Sequence, residues 1–169
     1  MQYLHYASYG SNLHPTRFGE RIPSAVHLGQ SFLPGYSLRF YKRSNIDGSG
    51  KCSIANPGPG VHIAVYRMDA AHKTLLDEIE GLGKGYADLT VETADFGECF
   101  TYTATATHID DTLAPLDWYK EIVRLGAIAN GLPDDYVARI GNVPSVFDPQ
   151  EIRRTEQWAL VESLRTSQN

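Results

Sequence analysis

The stretch Tyr9-Gly10-Ser11-Asn12-Leu13 constrains this chain more than any other. Ahead of it, Tyr3-Leu4-His5-Tyr6-Ala7-Ser8 carries enough aromatic and small residues for a buried strand. Behind it stand His14 and Pro15, and a proline fits the first position of a helix, where an N–H would have no partner. The chain must therefore pass from strand to helix across a few small residues. Gly10 permits close backbone approach. Ser11 and Asn12 bring amides and short polar side chains. Such a turn is either a plain connection or a cradle for a carboxylate or a polarised carbonyl.

Breakers divide the rest of the chain. Residues 17–21 form a short helix or turn ended by Pro23, and 26–33 read as a strand stopped by Pro34-Gly35. Residues 36–41 alternate with a period of two, 43–50 are a loop by composition, 52–55 are a brief strand, and 56–60 turn on proline and glycine. Residues 62–68 are the clearest interior strand. Asp69 is placed to cap a helix over 70–79, with Ala71, Leu75, Leu76 and Ile79 at helical spacing and Gly81 to end it. After a glycine loop, 86–92 and 98–107 form a hairpin about Asp95-Phe96-Gly97. Asp117 caps a helix to about residue 130, Leu132-Pro133 restarts a short one, and Asp148-Pro149-Gln150-Glu151 opens a last helix to the Leu164 region, with frayed final residues. Strands first and helices late make an α+β chain.

A length of 169 residues suits one domain with a real core, over 1–169. No apolar run is long enough to span a membrane, and the start lacks the basic end and apolar run of a signal peptide, so a cytoplasmic protein is expected. A net charge of −5 argues against a nucleic-acid partner; Arg39, Lys42 and Arg43 form a small basic group that a strand edge explains. The six histidines and two cysteines lack metal-ligand spacing, so no metal is expected. Cys52 and Cys99 read as small buried hydrophobes rather than a disulfide.

Leu76-Asp77-Glu78-Ile79-Glu80-Gly81 is the second stretch with chemical content. Glu80 falls at the negative end of a helix dipole, which raises a carboxylate's pKa toward the range a general base needs. The plainer alternative is a solvated acidic face. Gly81-Leu82-Gly83-Lys84-Gly85 is not a phosphate loop: it follows a helix instead of preceding one. Ser11 is not in a G-x-S-x-G setting, since Tyr9 and Leu13 stand where glycines belong.

Taken together, Tyr6-Ala7-Ser8-Tyr9-Gly10-Ser11-Asn12-Leu13 resembles the N-terminal signature of the γ-glutamylcyclotransferase (AIG2-like) family. Leu76, Asp77, Glu80 and Gly81 match that family's Leu-Asp-x-x-Glu-Gly stretch. Residues 119–126 with Asn130-Gly131-Leu132-Pro133 resemble its late segment. The resemblance implies a small mixed β-barrel with surrounding helices. It implies Glu80 as the catalytic residue and a substrate site formed by Tyr6, Ala7, Ser8, Tyr9, Gly10, Ser11, Asn12, Tyr86, Tyr102 and Tyr119. The implied reaction is intramolecular aminolysis of a small γ-glutamyl compound to 5-oxoproline, with no cofactor, in a cytoplasmic protein that forms a homodimer. Glutathione fits less well, because the glutathione-specific branch carries a different glutamate motif. A pocket that only binds a small ligand is the alternative, and hydrolysis by Ser11 would yield free glutamate instead. The segment 42–51 has no role in this resemblance.

Overall fold

The computed structural model describes residues 2–167. In chain order its elements are β1 (Tyr3–Ser8), α1 (Pro15–Arg21), β2 (Val26–Leu33), β3 (Ser37–Arg43), β4 (Gly50–Ala55), β5 (Val61–Asp69), α2 (Lys73–Glu80), β6 (Tyr86–Thr93), β7 (Gly97–Ala104), α3 (Asp117–Ala129), α4 (Asp134–Gly141) and α5 (Glu151–Thr166). The α+β class is as the sequence predicts. Part of the fraying expected at the C-terminus lies outside the described residues.

Five strands form one mixed sheet in the order β2-β5-β1-β7-β6. β5 runs antiparallel between β2 and β1, and its Val61, Ile63, Ala64, Val65, Tyr66 and Met68 are all buried, as an apolar run covered on both faces requires. β1 meets β7 in parallel at Tyr6↔Phe100. Strand β1 therefore delivers the turn that follows it to the middle of the sheet's edge. The Tyr6 ring packs 5.1 Å from Phe18 of α1, and Phe18 packs 4.5 Å from Tyr66 of β5, which seats α1 on the sheet.

The expected barrel does not close. β3 and β4 form a separate two-stranded ribbon, with an isolated bridge from Lys42 to Ile109 outside it. Side chains, not a strand ladder, join this ribbon to β7: Ser53 Oγ accepts from the Ala104 N–H at 2.9 Å, and Thr103 Oγ1 donates to the Ile54 carbonyl at 3.2 Å. At the other end the sheet curls until Ser31 Oγ of β2 donates to Asp95 Oδ2 in the β6–β7 turn, at 3.2 Å. The result is an open, curled sheet with a ribbon laid across it.

Three helix starts differ from expectation. The helix after Asp69 opens as a 3-10 turn at Ala70–His72, with Asp69 accepting from the Ala71 N–H at 3.0 Å, before α2 begins. On α2 only Leu76 is fully buried; Leu75 and Ile79 face outward, because the helix lies on the rim of the fold. Asp117 is the first residue of α3 rather than its cap. Gln150, not Asp148, caps α5, since Asp148 is drawn inward by the Trp118 indole and Arg153. No helix among the described residues is long and apolar enough to cross a membrane.

Candidate active site

The turn after β1 closes with a hydrogen bond from the Leu13 N–H to the Gly10 carbonyl, 3.0 Å, which uses neither the Ser11 nor the Asn12 N–H. Three distant elements pin this turn. The Leu13 carbonyl accepts from Tyr66 Oη of β5 and from Asn130 Nδ2 at the end of α3, each at 2.7 Å. An added Cβ at Gly126 of α3 would stand 2.5 Å from Leu13 Cβ, so the helix backbone lies directly against the turn. An added Cβ at Gly10 would stand 2.9 Å from Cys52 Cβ. Gly10 is thus needed first to let β4 approach, and its importance does not rest on substrate contact alone.

Glu80 ends α2. Gly81 turns the chain with φ 77°, and the Gly81 and Leu82 N–H groups both close on the Asp77 carbonyl at 2.9 Å. Asp77 itself is fixed by Tyr102 Oη, at 2.7 Å, and by Lys73. The helix end therefore cannot swing, and the Glu80 carboxylate faces the turn. Asn12 Nδ2 donates to Glu80 Oε1 at 2.7 Å and reaches Tyr6 Oη at 3.3 Å, while Asn12 Oδ1 accepts from Arg21 Nη1 at 3.1 Å. Arg21 also stands 3.8 Å from Glu80 Oε1. Burial raises the Glu80 pKa above the ordinary carboxylate value; Arg21, the Asn12 hydrogen bond, Arg17 and Lys42 offset it in part.

A small cavity of about 20 Å³ lies at this point. Tyr6, Tyr9, Gly10, Ser11, Asn12, Glu80, Tyr86, Tyr102 and Tyr119, all singled out in the sequence, line it. Ala7 and Ser8 do not. They sit in β1, where the Ala7 carbonyl accepts from Thr101 Oγ1 at 2.7 Å and Ser8 pairs in register with Ala64, so strand pairing holds them away from the opening. Several of the tyrosines work on the scaffold. Tyr119 Oη accepts from the Cys52 N–H at 3.0 Å, Tyr86 Oη donates to the Cys52 carbonyl at 2.6 Å, and Tyr9 Oη donates to the Tyr102 carbonyl at 2.6 Å. Burial holds these phenols in the neutral form by pushing their pKa values up.

Some of the surroundings escaped the sequence reading. Cys52 is a wall of the cavity, its thiol pushed up to about 12 by burial. Both cysteines are buried and free, as expected. Outside the cavity opens a chamber of about 430 Å³, and Ser11, Glu80, Tyr86 and Tyr119 belong to both walls. Its sides carry Arg17, Arg21, Lys42 and Lys51. The basic group read as a strand edge splits: Arg39 pairs with Asp111 and Arg43 with Asp110, but Lys42 turns inward. The alternation Leu38, Phe40, Lys42 along β3 was the signal that could have found it.

The AIG2-like family matches residues 60–140. Over 148 residues the chain is 31% identical to the gamma-glutamylcyclotransferase of Bos taurus, covering 82% of this chain and 77% of the relative. Over 158 residues it is 32% identical to that of Mus musculus, covering 88% and 80%. A solved structure of a gamma-glutamyl cyclotransferase superposes with a TM-score of 0.81 at 26% identity, over 96% of this chain and 99% of that one. YkqA of Bacillus subtilis, at 19% identity and a TM-score of 0.70 over 86% of this chain and 57% of its own, shares the fold.

Proposed function

The chain belongs to the gamma-glutamylcyclotransferase family, and on that premise we propose that it cyclises a small γ-glutamyl compound and releases 5-oxoproline, with Glu80 as general acid and base. The observation that carries this reading is the 2.7 Å contact between Asn12 and Glu80. It joins the signature turn to the glutamate motif at one cavity, and it fixes a carboxylate whose pKa burial has raised.

The chemistry follows from what the substrate lacks. Its α-ammonium is not nucleophilic until it loses a proton, which Glu80 accepts. The freed amine attacks the γ-carbonyl of the same molecule, so the enzyme's task is to hold the folded conformer. Ser11 and Asn12 N–H groups, unused by the turn's own hydrogen bond, stabilise the oxyanion. Collapse breaks the original amide bond; Glu80 returns its proton to the departing nitrogen, and the second proton shed by the ring nitrogen passes to it as well, so the amine leaves as an ammonium. Nucleophile and electrophile lie in one molecule, so the reaction calls for no cofactor. The same reading takes the protein to be a cytoplasmic homodimer, and light scattering at assay concentration checks the dimer.

The test is 5-oxoproline release from a panel of γ-glutamyl dipeptides and amides. Free glutamate in place of 5-oxoproline would establish hydrolysis instead.

A further inference from the structure

Lys42 carries a charge that the reaction above does not use. It is 5% exposed, on the inward face of β3, and its ammonium lies over the Tyr86 ring, 4.5 Å from the centroid. Tyr86 and Lys42 both line the 430 Å³ chamber outside Glu80. Among the described residues no carboxylate comes within ion-pair distance of Lys42. The neighbouring cations are already engaged: Lys51 by Asp47 at 2.9 Å, Arg153 by Asp148, and Arg21 by Asn12 and Glu80. Arg17, from α1, shares the state of Lys42. It lines the same chamber, makes no ion pair among the described residues, and its buried Nε has no hydrogen-bond partner. Lys84 also lines this chamber, but it is exposed to water and adds little.

Enclosing a cation without a counter-ion is unfavourable. Burial pushes the pKa values of both Lys42 and Arg17 down, that of Arg17 to about 10, and the Glu80 carboxylate opposes the shift in both. Two such charges facing one chamber await anions from a ligand. The reacting carbonyl must lie at Glu80 with the glutamyl head against the turn, so the part of the substrate that extends into the chamber is the part that leaves. Glu78, exposed on α2, also lines the chamber, but a cationic or neutral amine there would leave Lys42 and Arg17 without an anion. A single carboxylate would satisfy one of the two cations.

We infer that the leaving group is a dicarboxylic amino acid, with Lys42 and Arg17 each taking one of its carboxylates. The inference rests on the cyclotransferase reading and names its substrate class. The balance is simple. The α-amine forms the ring C–N bond to the γ-carbon, the old γ-amide C–N bond breaks, and the two protons that the α-ammonium sheds on becoming the lactam N–H go to the departing nitrogen, which leaves as an ammonium. The products are 5-oxoproline and the dicarboxylic amino acid, with no other reactant.

The experiment compares kcat/KM for 5-oxoproline release from γ-glutamyl-glutamate, γ-glutamyl-glutamine and γ-glutamyl-butylamide. γ-Glutamyl-glutamate is expected to lead γ-glutamyl-glutamine by about tenfold or more, the scale of one partly desolvated charge pair, with the butylamide poorest. Lys42→Met and Arg17→Met should each shrink the glutamate-to-glutamine ratio, chiefly through KM, with far-UV circular dichroism unchanged. Equal efficiency on the glutamate and glutamine compounds overturns the inference and leaves the cyclotransferase reading intact. No 5-oxoproline from any of the three overturns both. If a variant fails to fold, the wild-type comparison decides alone.

Discussion

Burial and cations pull on the Glu80 carboxylate in opposite directions, and burial prevails. A base must be ionised to accept a proton, so kcat/KM should rise with pH through a pKa above the ordinary carboxylate value. That acid limb should vanish in Glu80→Gln. The variant keeps the size of the side chain and still accepts from Asn12, but it cannot take the proton. Its turnover should fall by about 10²–10⁴-fold, the usual worth of a general base, while Glu78→Gln stays near wild type. Near-wild-type 5-oxoproline release by Glu80→Gln would falsify the assignment. Stability should move the other way. The folded state holds the Glu80 proton more tightly than the unfolded chain does, so its contribution to stability is present at low pH and is lost as pH rises through the folded pKa. At neutral pH the wild type bears the cost of a buried carboxylate, and Glu80→Gln should melt at the same temperature or higher. A melting point several degrees lower would show that the carboxylate stabilises the fold.

Among the elements, α3 matters most to the site: Tyr119 lines the cavity with Glu80, and the residue that ends the helix holds the turn. Gly126 lets its backbone lie on the turn, and Asn130 donates to both the Leu13 and the Gly126 carbonyls while its Oδ1 meets His27. Gly126→Ala drives a methyl to 2.5 Å from Leu13 Cβ, where the neighbour is well-packed core. Overpacking of this kind costs about 1–3 kcal/mol, and urea unfolding should read it as a lower midpoint. Because the displaced element is the turn itself, turnover should fall as well. An alanine tolerated without loss of either would mean that the turn is not held by this contact. Asn130→Ala should have the milder effect, since Tyr66 still serves the Leu13 carbonyl.

At the scale of the whole molecule, Asp148 fastens the last helix to the body. It is fully buried, accepting from Trp118 Nε1 at 2.9 Å and Arg153 Nε at 2.7 Å, and its Oδ1 accepts from the Gln150 N–H at 3.0 Å. Trp118 and Arg153 also wall the outer chamber, so the same node shapes the site's approach. Asp148→Ala leaves a guanidinium and an indole N–H without their acceptor. A loss of about 3 kcal/mol is expected, at the low end for a broken buried pair because Arg153 keeps some contact with water. Arg153 holds the Asp148 pKa far below the usual carboxylate range. The sign follows: this stability is present above the unfolded pKa and drains away as pH falls through it toward the folded value. Wild type should therefore lose stability in acid more steeply than Asp148→Ala. Parallel acid titrations of the two, followed by tryptophan fluorescence, check it.

Local rules in the sequence determined the pieces of this protein. β5 is an uninterrupted apolar run, Pro15 starts a helix, and Gly81 ends one in the left-handed region; each depends on residues within a turn or two of itself. Nine of the cavity-lining residues were legible through motif resemblance, while Ala7 and Ser8 lie in β1 outside that lining. Tertiary structure decided the rest. Asn12 and Glu80 are 68 positions apart, and only packing of α1 and α2 on the same sheet edge brings them into contact. Cys52 became a cavity wall because β4 crosses Gly10, and Lys42, bridged to Ile109 at the end of β3, turned inward. The barrel stayed open because β3 and β4 form a ribbon apart from the main sheet. Local propensity fixes what a segment becomes; which faces it covers depends on contacts between segments far apart in the chain, whose free energies no local pattern encodes.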